Sequence, residues 1–148
     1  MAKEIQQIMR NKEAFRDLLL LGDEQAELIA GYLPQSELFA LYEDGLKTVA
    51  AVVVIGNTCE LKNLATIPAA QRQGYGSYML SYLFSHYQGR CHTMLVGTGE
   101  SPFTLPFYHH CGFRYSHRIK NFFLQHYDHP IWEGGCQLVD MIYLKREL

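Results

Sequence analysis

The sequence predicts a mixed α/β domain with a mostly antiparallel central sheet flanked by helices. Three observations predict it. Between residues 38 and 67 the apolar residues alternate or run unbroken over short stretches, which is a strand pattern. Asp44-Gly45 stands between two such runs, a strong hairpin signal. After Pro68 the apolar period becomes helical. The 148 residues suit one domain spanning 1–148, with no internal repeat and no linker-like stretch.

The elements follow in order. Residues 4–9 read as a short first strand. Asn11 is placed to cap a helix whose apolar stripe is Phe15, Leu18, Leu19 and Leu21, ending at Gly22. Asp23 is placed to cap a second helix through Leu28 and Ile29, which Pro34 stops. Residues 38–42 form a strand leading into the Asp-Gly turn. The uncharged β-branched run 48–55 suits a strand covered on both faces. Gly56-Asn57 turns the chain into a strand over 59–67, with Leu61, Asn63 and Ala65 sharing one face.

Residues 74–88 then carry Tyr75, Met79, Leu80, Leu83, Phe84 and Tyr87 at helical spacing, with Gly89 as the stop. A strand over 91–97 follows. Ser101-Pro102 reads as a cap and first helical position, and Pro106 demands a kink or a late start. Strands are expected within 113–123 and over 137–144, separated by a long loop over 125–135.

Bulk properties exclude several function classes. A net charge of −2 and a pI near 6.4 do not suit a nucleic-acid surface. The apolar run 49–55 is too short to span a bilayer, and the first residues lack the apolar region of a signal peptide. The expected location is therefore cytoplasmic. Cys59, Cys91, Cys111 and Cys136 show no close pairing and are expected as free thiols. His109-His110-Cys111 and Cys91-His92 are adjacent in sequence, so they point apart and make poor joint ligands; no metal is expected.

The chemistry sits on the segment Gln71, Arg72, Gln73, Gly74, Tyr75, Gly76 and Ser77. A strand ends there, and a glycine-rich turn opens a helix. The first amides of a helix lack backbone partners and carry the positive end of its dipole. Arg72 adds a full charge, so a diphosphate fits. The segment is not a P-loop, because Gly76 is followed by Ser77-Tyr78. Nor is it a dinucleotide fingerprint, because Met79 occupies the third glycine position. By itself it supports either an anion site or a tight strand-to-helix turn.

The surroundings decide between these. Gln71 to Gly76 resembles the Q/R-x-x-G-x-G/A signature of GNAT acetyltransferases, and it follows Leu61-Lys62-Asn63-Leu64-Ala65-Thr66-Ile67-Pro68 as that family's loop follows its strand. Phe107-Tyr108-His109-His110-Cys111-Gly112-Phe113 is similar to the family's F-Y-x-x-x-G-F motif. The resemblance covers residues 37–123 well and the first helices loosely. The tail is similar to that of a bacterial subgroup mostly uncharacterised in substrate.

The resemblance implies a GNAT fold with a splayed strand pair and acetyl-CoA as co-substrate. It implies that the amides of residues 72–77 bind the pyrophosphate, with Gln71 in the same motif. It implies that the pantetheine arm pairs with Leu64, Ala65 and Thr66, and that a backbone N–H polarises the thioester. Tyr108 is the implied proton donor to the departing thiolate, a phenol being protonated at neutral pH. Glu60, with Lys62 on the face opposite Asn63, is a candidate base. Asp128, Glu133 and Asp140 are candidates for binding a cationic acceptor. His109 and His110 read as helix surface, and Trp132 as a loop anchor or a lid.

The implied function is N-acetylation of a primary amine by direct transfer. The alternatives are a GNAT-fold module that binds acetyl-CoA without turnover, as a sensor or partner protein, and a nucleotide-binding protein. No nucleic-acid or membrane partner is expected, and the terminal strands leave a homodimer open.

Overall fold

The computed structural model describes residues 2–148. Seven strands form one sheet in the order β1-β2-β3-β4-β5-β9-β6. They are β1 (Glu4–Ile8), β2 (Glu37–Tyr42), β3 (Leu46–Ile55), β4 (Thr58–Thr66), β5 (Thr93–Gly99), β6 (Arg114–Ile119) and β9 (Met141–Glu147). All neighbours are antiparallel except β4 and β5. A separate small hairpin pairs β7 (Trp132–Glu133) with β8 (Cys136–Gln137).

Helices cover both faces. On one face α1 (Arg16–Gly22), α2 (Ala26–Tyr32) and the 3₁₀ turn that follows bury Leu19, Ile29 and Leu33 against Leu38, Ala40, Val49 and Ala51. On the other, α3 (Tyr75–Tyr87) and α4 (Thr104–His110) bury Met79, Leu80, Leu83 and Tyr108 against Ala50, Val52, Leu61, Met94, Val96 and Leu144. β3 is thus sandwiched as its unbroken apolar run requires: alternate residues serve alternate layers. A smaller cluster joins Phe123 of α5 (Phe122–His126) to Ile131 and Leu138.

Local signals acted largely as read. Asp44 and Gly45 both take positive φ between β2 and β3, and Ile55 faces Thr58 across the Gly56-Asn57 turn. Pro106 falls in the first turn of α4, where its missing N–H costs nothing, so the helix starts late rather than kinks. Ser101 is not the cap: α4 starts at Thr104 after Phe103, which leaves Pro102 ahead of the helix, and Ser101 Oγ accepts from Phe103 N at 3.1 Å in the preceding turn.

Several boundaries differ from expectation. Asn11 sits at φ 55 with no side-chain cap bond, and a 3₁₀ turn at Lys12–Phe15 precedes α1. Asp23 lies ahead of α2 instead of capping its first turn; its carboxylate takes the Gln25 amide at 3.2 Å and the Tyr127 hydroxyl at 2.8 Å. The last strand runs to Glu147, not 137–144, because Gln137 belongs to the small hairpin. The strand expected within 113–123 is present as Arg114–Ile119, and beyond it Asp140 accepts from Arg118 and from the Asn121 amide where the chain turns into α5.

One irregularity positions the site. In the β3–β4 ladder Ala51 faces Asn63, but the adjacent Val52 faces Leu61. Lys62 is therefore a bulge, and it reverses which face each residue serves. Cys59 and Leu61 join the α3 layer, whereas Ala65 joins the α1 layer and Asn63 bonds Leu19 O and Tyr32 Oη. Leu61 and Asn63 therefore do not share a face. Glu60 lies on the Asn63 side, not opposite it: Tyr143 Oη of β9 reaches it at 3.1 Å.

Candidate active site

β4 and β5 pair only from Thr58 with Thr93 to Leu61 with Val96. Beyond that the strands part, and the side of β4 over residues 62–66 that faces β5 has no strand partner among the described residues. A gap opened through a sheet joins its two layers. Accordingly, a cavity of about 530 Å³ is lined by Gly22 and Asp23 from the α1 side and by Tyr108 from the α4 side. Residues 61–64 of β4 and 96–99 of β5 form its edges. Glycines at 97 and 99 keep this wall thin: a Cβ at Gly97 would lie 2.8 Å from Met141 Sδ, and one at Gly99 would run into Leu138.

The glycine-rich loop lies beside the gap. After Thr66 the chain makes a 3₁₀ turn at Pro68–Ala70, and Gln71 Nε2 returns to Thr66 O at 3.1 Å. Gln73 Nε2 does the same to Ala69 O at 3.1 Å. Arg72 is exposed at φ 63, and Gly74 takes φ 88, the left-handed region that glycine enters without strain. The first closing bond of α3 is Tyr78 N to Gly74 O at 3.0 Å. The amides of residues 72–77 have no acceptor among the described residues. Such a run of free N–H groups at a helix N-terminus is suited to a polyanion.

The two glycines do different work. Nothing lies within 4 Å of a Cβ at Gly74, so its role is conformational. A Cβ at Gly76 would meet Phe107 Cζ at 3.2 Å, so here glycine lets α3 and α4 touch. The Tyr75 side chain points away from the loop face, its hydroxyl bonded to Glu43 Oε1 at 2.7 Å. Ser77 Oγ lies 3.9 Å from Cys111 Sγ.

Along β4, Leu64 packs in the α3 layer, Ala65 is buried in the α1 layer, and Thr66 Oγ1 bonds Thr48 Oγ1 at 2.9 Å. Their side chains are committed to the fold, which leaves their backbone edge for a ligand.

Tyr108 is buried, with its ring against Phe107 and Phe113 and its hydroxyl unbonded to protein among the described residues. Burial pushes its pKa up, reinforced by the charges of Cys111 and Glu133. The phenol therefore holds its proton throughout the neutral range.

The candidate acids separate cleanly. Glu133 lines the cavity with Tyr108. Asp128 is exposed and paired with His129 at 2.5 Å, and Asp140 serves Arg118 and Asn121; neither lines it. Glu60 lines an adjoining cavity of about 280 Å³, bonded by Tyr143 and, at 3.2 Å, by Lys62. Burial first, then Glu60, pushes Tyr143 up to about 12. Trp132 lines the larger cavity but is largely exposed. His109 and His110 are exposed on α4, as expected.

The sequence reading missed Asp23, Glu24 and Tyr127, which the fold brings to the cavity from segments about a hundred residues apart, as the Tyr127–Asp23 bond shows. No local motif marks them. Among the described residues no group of His, Cys, Asp and Glu is placed to hold a metal ion, and no helix is long and apolar enough to cross a membrane.

The family model for the acetyltransferase (GNAT) domain matches residues 34–115, which contain the loop, the parted strands and Tyr108. The chain belongs to the GNAT acetyltransferase family. The uncharacterized N-acetyltransferase YvbK of Bacillus subtilis (strain 168) is a relative 33% identical over 138 residues, covering 89% of this chain and 88% of YvbK. A GNAT family acetyltransferase from Elizabethkingia anophelis, solved with acetyl-CoA bound, superposes with a TM-score of 0.93 at 33% identity, over 99% of this chain and 98% of that one. The IAA acetyltransferase from Bacillus cereus ATCC 14579 superposes with a TM-score of 0.92 at 31% identity, over 99% of this chain and all of that one. The GNAT fold expected from the sequence, including the parted strand pair, is the fold observed.

Proposed function

We propose that the protein transfers the acetyl group of acetyl-CoA directly to a primary amine. The observation that carries this reading is the parting of β4 from β5, with a protonated phenol in the gap and a run of free amides beside it. The amides of residues 72–77 take the diphosphate, and the pantetheine arm pairs with the free edge of Leu64, Ala65 and Thr66. The relative from Elizabethkingia anophelis, which binds acetyl-CoA, supports this placement. Gln71 and Gln73 brace the loop from behind.

In the transfer, the amine nitrogen attacks the thioester carbon, with a backbone N–H of the parted strand stabilising the oxyanion. The carbon–sulfur bond breaks, its electron pair goes to sulfur, and the Tyr108 hydroxyl protonates the thiolate. The amine's surplus proton leaves through water toward Glu133, the cavity carboxylate that acts on Tyr108. Glu60, already held by Tyr143 and Lys62, belongs to acceptor binding rather than to the proton transfer.

The test is thiol release from acetyl-CoA across a panel of amines, with calorimetric titration of CoA in competition with ATP and NAD. Amine-dependent release supports the reading. Tight acetyl-CoA binding with no release on any amine replaces it with a non-catalytic binding module.

A further inference from the structure

The two cavities adjoin as two branches of the site, sharing the walls of Asp23, Leu61, Lys62, Gly97, Tyr127 and Met141. Its charge is lopsided. Asp23, Glu24, Glu60 and Glu133 line it, against Lys62 as the only basic side chain among the described lining residues. Asn63 is 4% exposed and lines the larger branch; among the described residues its buried Oδ1 has no partner, and Nδ2 is used on Leu19 O at 2.8 Å and Tyr32 Oη at 3.0 Å. That oxygen lies against Gly22, itself a cavity residue. The carbonyls of residues 20–22, at the negative end of α1, likewise receive no backbone donor among the described residues.

A lining with four carboxylates and one ammonium suits a ligand of donors without acceptors. An alkylammonium is that group: three N–H donors and no lone pair. The smaller branch adds the aromatic walls that a cation favours, from Tyr32, Phe122, Tyr127 and Tyr143. The protein supplies its own example. The Lys62 ammonium lies 5.7 Å from the centroid of the Tyr32 ring and 3.2 Å from Glu60 Oε2. Tyr127 and Tyr143 donate to Asp23 and Glu60 at 2.8 and 3.1 Å, which fixes both carboxylates while leaving each a free oxygen. One lysine neutralises one of these two acids, and the other is left for a ligand.

Resting on the acetyl-transfer reading above, we infer that the acceptor is a small diamine. Its reacting nitrogen lies in the larger branch beside Tyr108 and Glu133. Its second nitrogen, kept as an ammonium, lies in the smaller branch between Asp23 and Glu60 against the tyrosine rings.

The experiment uses three acceptors of matched length with the whole protein and acetyl-CoA: 1,4-diaminobutane, butylamine and 4-aminobutanoate. The diamine is expected to exceed the monoamine in kcat/KM by about tenfold or more, mostly through KM, the value of one partly buried charged contact. The amino acid is expected to be the poorest. In Asp23→Asn and in Glu60→Gln the ratio of diamine to monoamine falls toward one. Glu60→Gln keeps the test open if loss of the Asp23–Tyr127 bond unfolds the first variant. Equal use of the monoamine, preference for the amino acid, or an unchanged ratio in Glu60→Gln overturns the inference. If no amine yields thiol, diamine binding to the CoA complex is measured by calorimetry. Binding lost in Glu60→Gln then upholds the diamine site while the transfer reading falls, and no binding overturns both.

Discussion

Replacing Tyr108 by Phe isolates one oxygen atom. The hydroxyl has no protein partner among the described residues, and the ring keeps its contacts with Phe107 and Phe113 at centroid distances of 5.0 and 5.5 Å. Folding stability should therefore change by less than about 1 kcal/mol, because no hydrogen bond is broken and no acceptor is orphaned. Catalysis should change much more. A positioned general acid contributes on the order of a hundredfold or more, so kcat should fall by about that factor, equivalent to about 2.7 kcal/mol in the barrier. Acetyl-CoA affinity should hold, because the diphosphate and pantetheine contacts lie elsewhere. Burial raises the phenol's pKa, so it is protonated from about pH 6 to 9 and the defect should be the same across that range. Thiol release under saturating acetyl-CoA, with Tm as a folding control, measures all of this. A variant whose kcat stays within about twofold of the parent at every pH removes Tyr108 from the proton transfer.

Other substitutions probe the loop and the fold. Gly74→Val forces a β-branched residue to φ 88 and should weaken CoA binding about tenfold or more by calorimetry; unchanged affinity would disconnect the loop from the cofactor. Gly31→Ala and Gly22→Ala should act in opposite directions although both glycines are helical. The first meets nothing within 4 Å and should add about 0.5–1 kcal/mol, whereas the second drives its Cβ into the Asn63 amide and should cost more than helix propensity returns. Thermal melts showing the same sign for both would refute that account.

Glu37 gives a pH prediction. Burial pulls its carboxyl up, but hydrogen bonds from Arg90 and Tyr87 outweigh it and hold the pKa below the ordinary 4.5. A depressed carboxyl stabilises above its unfolded pKa, and that contribution is lost as pH falls below about 4.5 through the folded value. Glu37→Gln should cost about 1 kcal/mol at pH 7, solvent screening included, and flatten the decline of Tm between about pH 5 and 3. Parallel curves for the two proteins would show that Glu37 is not responsible.

Features set by near neighbours in the chain were legible before the fold was known. The Asp44-Gly45 turn, the apolar period of α3 and the disturbance at Pro106 each depend on backbone sterics within a few residues. Element ends were less legible where a distant group sets them. Asp140 starts α5, and Tyr127 turns Asp23 away from a cap. The Lys62 bulge was invisible because an extra residue in a ladder shows only against the partner strand.

The sequence by itself determined the family, the sheet's character and the loop with Tyr108, because these rest on local backbone needs and on motifs read along one chain. Only the tertiary structure decided what surrounds the reacting atoms. It moved Glu60 to the Asn63 face, placed Asp128 and Asp140 outside the cavity lining, and brought Asp23, Glu133 and Tyr127 together at the mouth of the parted strands. The physical reason is that a cavity's charge is a sum over side chains from separate elements, fixed by packing and by long-range hydrogen bonds that no spacing in the sequence records.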